Sequence, residues 1–180
     1  MSALQWLVVV DMQPGFGHAD SPWWTPGYDA CAEAIKTMLP AFPDRVLFTR
    51  FVPPAEPQGA WRAYYDQWDF ALAPEHRWLW ELDPRFEGPQ VASARFAKWV
   101  EAAPHIPREA ELVICGVATD CCVMGTALEA VDDGRRVHLV RDACAAGTEA
   151  LHHSALTVMA GRAPMLTITD VADLPTAPSS

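Results

Sequence analysis

The chain has 180 residues, of which 51% are hydrophobic and 20% charged, and its formal net charge is −10. This composition predicts a folded globular domain over residues 1–175 with a frayed tail, 176–180. An acidic chain without a cluster of Lys and Arg argues against a nucleic acid or an anionic membrane as a partner, and no apolar run is long enough to span a bilayer.

The first predicted strand covers residues 4–10 (LQWLVVV), an unbroken apolar run typical of a central parallel strand. It ends on Asp11. Ligands bind at the carboxyl ends of strands in open α/β sheets, so Asp11 is a candidate site residue, although an Asp at this point also suits a simple turn.

Residues 50–89 form a Pro- and Trp-rich segment with weak periodicity. A segment of this length with little regular structure is usually functional. We expect an irregular excursion that lies over the strand ends. Its aromatic side chains would form either a satellite core or subunit interface, or the wall of a substrate pocket.

The remaining pattern alternates strands with helices. Strands are predicted over 45–49, 90–93, 112–115, 136–141 and 165–169, and helices over 28–39, 121–133 and 148–161. Thr148 is a candidate N-cap, and Gly134 a candidate residue just past a helix end. The alternation predicts a three-layer α/β sandwich with a six-stranded, mainly parallel sheet.

The fourth strand runs directly into a helix at residues 116–123 (GVATDCCV). The first turn of a helix has free N–H groups and the positive end of the dipole, and both favour a thiolate. Thr119 and Asp120 are residue types that cap helices. A buried structural cysteine is the alternative. If strands one and four are neighbours where the strand order reverses, Asp11 and Cys122 converge.

The five cysteines are an odd count without the spacing of a disulfide framework or a zinc site, and the N-terminus lacks the features of a signal peptide. These observations predict reduced thiols in a cytoplasmic protein.

Residues 7–16 (LVVVDMQPGF), 116–123 and 137–152 resemble the isochorismatase-like cysteine hydrolases, which include nicotinamidases and N-carbamoylsarcosine amidases. The resemblance implies a Rossmann-like sheet and a homodimer or larger homo-oligomer. It implies Cys122 as nucleophile and Asp11 as general base and acid. It also implies a cis peptide before Ala118, with the N–H groups of Ala118 and Cys122 directed at an oxyanion.

The chain departs from the family pattern at the position of the family's catalytic lysine. When the family pattern is aligned on Phe96 and Trp99, the position of the family Lys holds Ser93, whose neutral hydroxyl supplies no charge. On a continuing strand Lys98 would face the other side of the sheet. Either Arg95 or Arg50 then supplies the cation, the activity is weak or altered, or the Ser is an introduced substitution.

A second departure concerns metal. Nicotinamidases carry an Asp-x-His pair after the second strand, where this chain reads TRFVP at 49–53. We therefore predict no catalytic metal, no cofactor and a substrate other than nicotinamide. His152 is expected to be a packing or surface residue rather than a ligand.

The leading hypothesis is hydrolysis of a C–N bond in a small amide, carbamoyl or ureido compound through a thioester on Cys122. One alternative is a vinyl-ether hydrolase of the isochorismatase type, which acts by protonation from the Asp. The other is a binding or partner subunit with an impaired site. An aromatic-lined pocket is predicted, and Arg50 would suit a substrate carboxylate. The predicted substrate-binding residues are Phe16, Trp23, Arg50, Trp61 and Tyr65.

Overall fold

The computed structural model describes residues 4–174, so the predicted tail lies outside the described residues. Six strands form one sheet in the order β3-β2-β1-β4-β5-β6, and every adjacent pair is parallel. This confirms the predicted Rossmann-like α/β sheet. The strands are β1 (Gln5–Val10), β2 (Val46–Phe51), β3 (Gln90–Ser93), β4 (Glu111–Val117), β5 (Val137–Ala145) and β6 (Leu166–Thr169).

Helices cover the two faces of the sheet. They are α1 (Pro14–Gly17), α2 (Tyr28–Met38), α3 (Trp61–Gln67), α4 (Trp99–Ala102), α5 (Met124–Asp132) and α6 (Glu149–Ala160). Helix α2 packs on β4 and β5, whereas α5 packs with α4 and α6. The chain crosses from β1 towards β3 on one side of the sheet centre and from β4 towards β6 on the other. Because such crossovers are right-handed, α2 lies on one face of the sheet and α4, α5 and α6 lie on the opposite face.

Two of the predicted helix-end residues behave as expected. The hydroxyl of Thr148 accepts a hydrogen bond from the Leu151 N–H at 3.2 Å at the start of α6. Gly134 follows α5 with φ +80° and donates its N–H to the Val131 carbonyl at 2.8 Å, which is the geometry that favours glycine after a helix.

The strand order reverses between β1 and β4, the two central strands. Their backbones approach closely at the carboxyl end: a Cβ on Gly116 would lie 2.1 Å from the Val10 carbonyl oxygen, and Gly116 has φ +116°. Only glycine fits this position. The close approach brings the residues after both strands, Asp11 and the turn 119–123, to one crevice.

The excursion 50–89 contains α3 and two 3₁₀ segments, Asp69–Leu72 and Pro74–Trp80. Its aromatic side chains surround Trp23, which comes from the loop before α2. The ring of Trp23 lies within 6.2 Å, centroid to centroid, of six others: Phe16, Phe51, Tyr64, Trp68, Phe70 and Trp80. The excursion is thus an aromatic satellite core that also covers the strand ends.

Among residues 4–174, no helix combines the length and apolar character needed to cross a lipid bilayer.

Candidate active site

Asp11 is fully buried at the carboxyl end of β1, with φ +51°. The hydroxyl of Thr49 donates to its Oδ1 at 2.6 Å, and the Asp11 N–H donates to the Thr49 carbonyl at 3.1 Å. Thr49 lies on the neighbouring strand β2, so the sheet itself fixes the orientation of this carboxylate. Sequence analysis missed Thr49, because a Thr within a predicted strand carries no distinguishing signal.

Lys98 supplies the cation of the site. Its Nζ lies 3.0 Å from Asp11 Oδ2, and both side chains are fully buried. The expectation that Ser93 takes the Lys position is therefore wrong, as is the expectation that Lys98 faces away. Strand β3 ends at Ser93, and the chain then turns so that Lys98 points back into the crevice. The Ser93 hydroxyl instead accepts a hydrogen bond from the Arg95 N–H at 3.1 Å.

The two arginines considered as substitutes lie elsewhere. Arg95 forms an ion pair with Glu129. Arg50 pairs with Glu81 at 2.8 Å and lines a separate cavity with it. The predicted substrate-binding role of Arg50 is therefore not supported, because its guanidinium is paired outside the crevice that holds Asp11.

Cys122 lies on a π-helical turn, Thr119–Val123, that follows β4 directly. The predicted side-chain cap is wrong: the turn begins after Ala118 without a capping hydrogen bond from a side chain. The amides of Cys121 and Val123 both donate to the Ala118 carbonyl, at 3.0 and 3.2 Å. The Val117–Ala118 peptide is cis, as the resemblance implied.

The surroundings of Cys122 act on the pKa of its thiol. The hydrogen bond that it donates to Cys121, with the two sulfurs 4.0 Å apart, raises the pKa of Cys122 well above its ordinary value. Burial and the Asp11 carboxylate raise the pKa further, whereas the Lys98 ammonium lowers it. Asp11 and Lys98 are thus close enough for their charges to act on this sulfur.

Thr126 connects the cation to the cysteine turn, and sequence analysis also missed it. Its hydroxyl accepts a hydrogen bond from the Lys98 N–H at 3.0 Å and donates one to the Cys122 carbonyl at 2.6 Å. Thr126 is fully buried on α5. One side chain therefore sets the position of Lys98 relative to that of Cys122.

A cavity of about 430 Å³ opens over Cys122. Two of the predicted substrate-binding residues, Phe16 and Trp23, lie on its wall, and Ala118 lies beside Cys122. Trp61 and Tyr65 lie outside the wall: they stack on each other at 6.0 Å and support Tyr64 and Phe96, which do line it. The aromatic lining also includes Trp24, Phe51 and Trp68.

His152 bonds within the protein, as expected of a packing residue. Its Nδ1 lies 2.8 Å from the Thr119 hydroxyl. Burial lowers the pKa of His152, and His153 acts in the same direction.

Comparison with known proteins identifies the family. The model of the isochorismatase domain matches residues 5–173. The chain belongs to the isochorismatase family. Isochorismatase domain-containing protein 2 of Xenopus laevis is 36% identical over 70 residues, which are 39% of this chain. The same-named protein of Rattus norvegicus is 36% identical over 44 residues, 24% of this chain. The matches span only 34% and 21% of those two relatives.

Solved isochorismatase-like structures share the fold. A cysteine hydrolase from Pseudomonas syringae pv. phaseolicola superposes with a TM-score of 0.80 at 19% identity, over 94% of this chain and 89% of the other. An isochorismatase family protein from Desulfovibrio vulgaris superposes with a TM-score of 0.77 at 19% sequence identity, over 95% of this chain and 96% of the other. The pyrazinamidase of Pyrococcus horikoshii, solved in complex with zinc, superposes with a TM-score of 0.68 at 21% identity, over 92% of this chain and 98% of the other.

The described residues of this isochorismatase-family chain do not provide the set of ligands that zinc requires. Within residues 4–174 no group of three or more His, Cys, Asp or Glu is arranged to hold a metal ion. The end of β2 carries Thr49 and Arg50, which are not zinc ligands. Metal independence stays a prediction, which a metal analysis of the active protein tests.

Proposed function

We propose that this isochorismatase-family hydrolase cleaves the C–N bond of a small amide, carbamoyl or ureido compound, with Cys122 as nucleophile. One observation carries the proposal: a buried Asp11–Lys98 ion pair acts on the Cys122 sulfur at the edge of an aromatic cavity. Buried ionisable groups that perturb a cysteine in a cleft are typical of a catalytic site.

The first step joins attack to proton transfer. The proton of the Cys122 thiol passes to Asp11 as the sulfur bonds to the substrate carbonyl carbon. We assign this proton to Asp11 Oδ2, the oxygen that Thr49 does not bond and that lies 3.0 Å from Lys98 Nζ. We assign the N–H groups of Ala118 and Cys122 to the developing oxyanion, where one lost donor typically costs ~10²–10³ in rate.

The second half of the cycle returns the proton. Asp11 donates it to the leaving nitrogen as the C–N bond breaks, which leaves an acyl thioester on Cys122. Asp11 then removes a proton from a water molecule that attacks the thioester carbonyl. The acid product leaves, and the proton returns to the Cys122 sulfur. Lys98 holds the Asp11 side chain in place between the steps through their ion pair at 3.0 Å.

The finding of Lys98 beside Asp11 weakens the alternative of an impaired binding subunit, because that reading rested on a missing cation. The vinyl-ether alternative differs in needing Asp11 but no thiol. A matched pair of variants, Cys122→Ala and Cys121→Ala, separates these proposals. The two variants each remove one sulfur from the same turn, and the proposal assigns the chemistry to the sulfur of Cys122.

Hydrolysis of a panel of small amides and ureido compounds is measured by ammonia release. We expect Cys122→Ala to lose activity by at least about a thousandfold and Cys121→Ala to retain most of it. Rapid quenching followed by peptide mass spectrometry should find an acyl group on Cys122. Full hydrolysis by Cys122→Ala would contradict the proposal, and dependence on Asp11 alone would favour the vinyl-ether reaction.

A further inference from the structure

The cavity over Cys122 has an unbalanced charge. Among the described residues that line it, Asp120 alone is an acidic or basic residue. The positive charge of Lys98 is already matched by Asp11, and Arg50 lies in another cavity. The space that a substrate would occupy therefore faces one carboxylate and no available cation.

One oxygen of the Asp120 carboxylate, Oδ1, also lacks a hydrogen-bond donor among the described residues. This oxygen is buried. No cationic group in that part of the chain lies within ion-pair distance of the Asp120 carboxylate, although charged pairs are common elsewhere in the molecule. The charge of a carboxylate that no cation of the protein neutralises is available to a ligand in the cavity that Asp120 lines.

The rest of the wall suits a cation that carries an apolar group. Trp23, Trp68 and Tyr64 present aromatic rings to the cavity, and aromatic faces attract ammonium groups while accommodating hydrocarbon. A carboxylate on the substrate would instead approach Asp120 with no compensating cation. The cavity thus favours a positively charged substrate group, not the substrate carboxylate that the sequence suggested for Arg50.

We propose that Asp120 is a specificity-determining residue that selects amides bearing an ammonium group close to the scissile carbonyl and an apolar or aromatic remainder. This inference rests on the proposed hydrolysis at Cys122. The ammonium belongs close to the carbonyl because Asp120 precedes the nucleophile by only two residues. Amides with a carboxylate at the same position are rejected.

The test uses three matched primary amides: phenylalaninamide and the two analogues in which methyl or carboxylate replaces the ammonium. Binding to the Cys122→Ala protein is measured by calorimetry at a pH where the amine is protonated and the acid ionised. We expect the ammonium compound to bind roughly tenfold to a hundredfold more tightly than the carboxylate. The methyl compound should lie between them.

Asp120→Asn in the same background should remove most of this difference. Glu56→Gln, which deletes an equal charge from an exposed loop position, should leave it unchanged. Equal binding of the three amides, absence of binding by the ammonium compound, or an effect of Glu56→Gln equal to that of Asp120→Asn would overturn the inference. The binding assay uses a protein without the nucleophile. Its result on charge selection is therefore independent of whether an acyl group is trapped on Cys122.

Discussion

At the scale of single residues, the site is built around an ammonium group that is committed entirely to the protein. The Nζ of Lys98 donates to the carbonyls of Arg95 and Phe96, at 2.5 and 2.7 Å, and pairs with Asp11. Burial alone would lower the pKa of Lys98, but the Asp11 carboxylate raises it overall. Because its donors are engaged, we expect Lys98 to act through its charge and not to transfer a proton.

The two charges of the pair should move the reactivity of Cys122 in opposite directions. Lys98 lowers the pKa of Cys122 and Asp11 raises it. The pH profile of Cys122 alkylation should therefore shift to higher pH in Lys98→Met and to lower pH in Asp11→Asn, although both variants lose hydrolysis. Peptide mass spectrometry that separates Cys121 from Cys122 provides the measurement.

Lys98→Met should also destabilise the protein by about 3–5 kcal/mol, because Asp11 is left buried and unpaired. Lys36→Met is the control, since Lys36 is exposed and pairs with Glu33 on the same helix, α2. Shifts of the same sign in Lys98→Met and Asp11→Asn would show that their charges do not set the reactivity of this thiol.

At the scale of elements, α5 holds two parts of the site together through Thr126. We expect Thr126→Val, which keeps the shape but removes both hydrogen bonds, to cost about 1–3 kcal/mol and to lower kcat more than it changes KM. Thr126→Ser should restore most of the activity. Chemical denaturation and steady-state kinetics are the measurements.

Thr157→Val is the matched control for this change. The Thr157 hydroxyl makes the same type of bond to the carbonyl four residues earlier, at 2.9 Å, on the exposed side of α6. Equal losses in Thr126→Val and Thr157→Val would indicate a general effect of the helix bond rather than a link between Lys98 and Cys122.

The elements show what the sequence could reveal. β1 and β4 were predicted because a buried parallel strand is a continuous apolar run, and Asp11 followed because it ends such a run. Lys98 was misplaced because its position depends on a turn after Ser93, and no periodic pattern describes a loop. One signal was available: Lys98 is one of two lysines in the chain, and it lies between apolar residues.

Arg50 and Thr49 show a second limit. An ion pair such as Arg50–Glu81 joins residues 31 positions apart, and neither residue alone indicates the other. Thr49 orients Asp11 only because β2 is in register beside β1. Contacts between distant segments depend on register and loop paths, which composition and spacing do not determine.

At the scale of the whole molecule, one buried amide joins the sheet to the excursion that covers the site. Gln13 is fully buried; its Nε2 donates to the carbonyls of Phe51 and Trp80, at 2.9 and 2.7 Å. The Phe51 N–H donates to Gln13 Oε1 at 2.8 Å. Gln13 therefore helps to fix the aromatic wall of the cavity to β1 and β2, together with hydrogen bonds from Arg50 to the Trp80 carbonyl at 3.0 Å and from the Asp83 N–H to the Met12 carbonyl at 2.9 Å.

Gln13→Leu should release that wall. It removes the Gln13 partner of the Phe51 N–H and carbonyl, whereas the Trp80 carbonyl keeps a hydrogen bond from Arg50 at 3.0 Å. Each group left unpaired costs about 1–3 kcal/mol, so the segment 61–80 should open more readily than the sheet. Hydrogen exchange should rise in 61–80 and stay low in β5, and limited proteolysis should cut within the same segment. Gln67→Leu changes an exposed glutamine of α3 and should leave exchange unaltered.

Because the sheet and the Asp11–Lys98 pair would survive, alkylation of Cys122 should accelerate while hydrolysis declines. A uniform rise in exchange across all strands would instead show that Gln13 supports the entire fold.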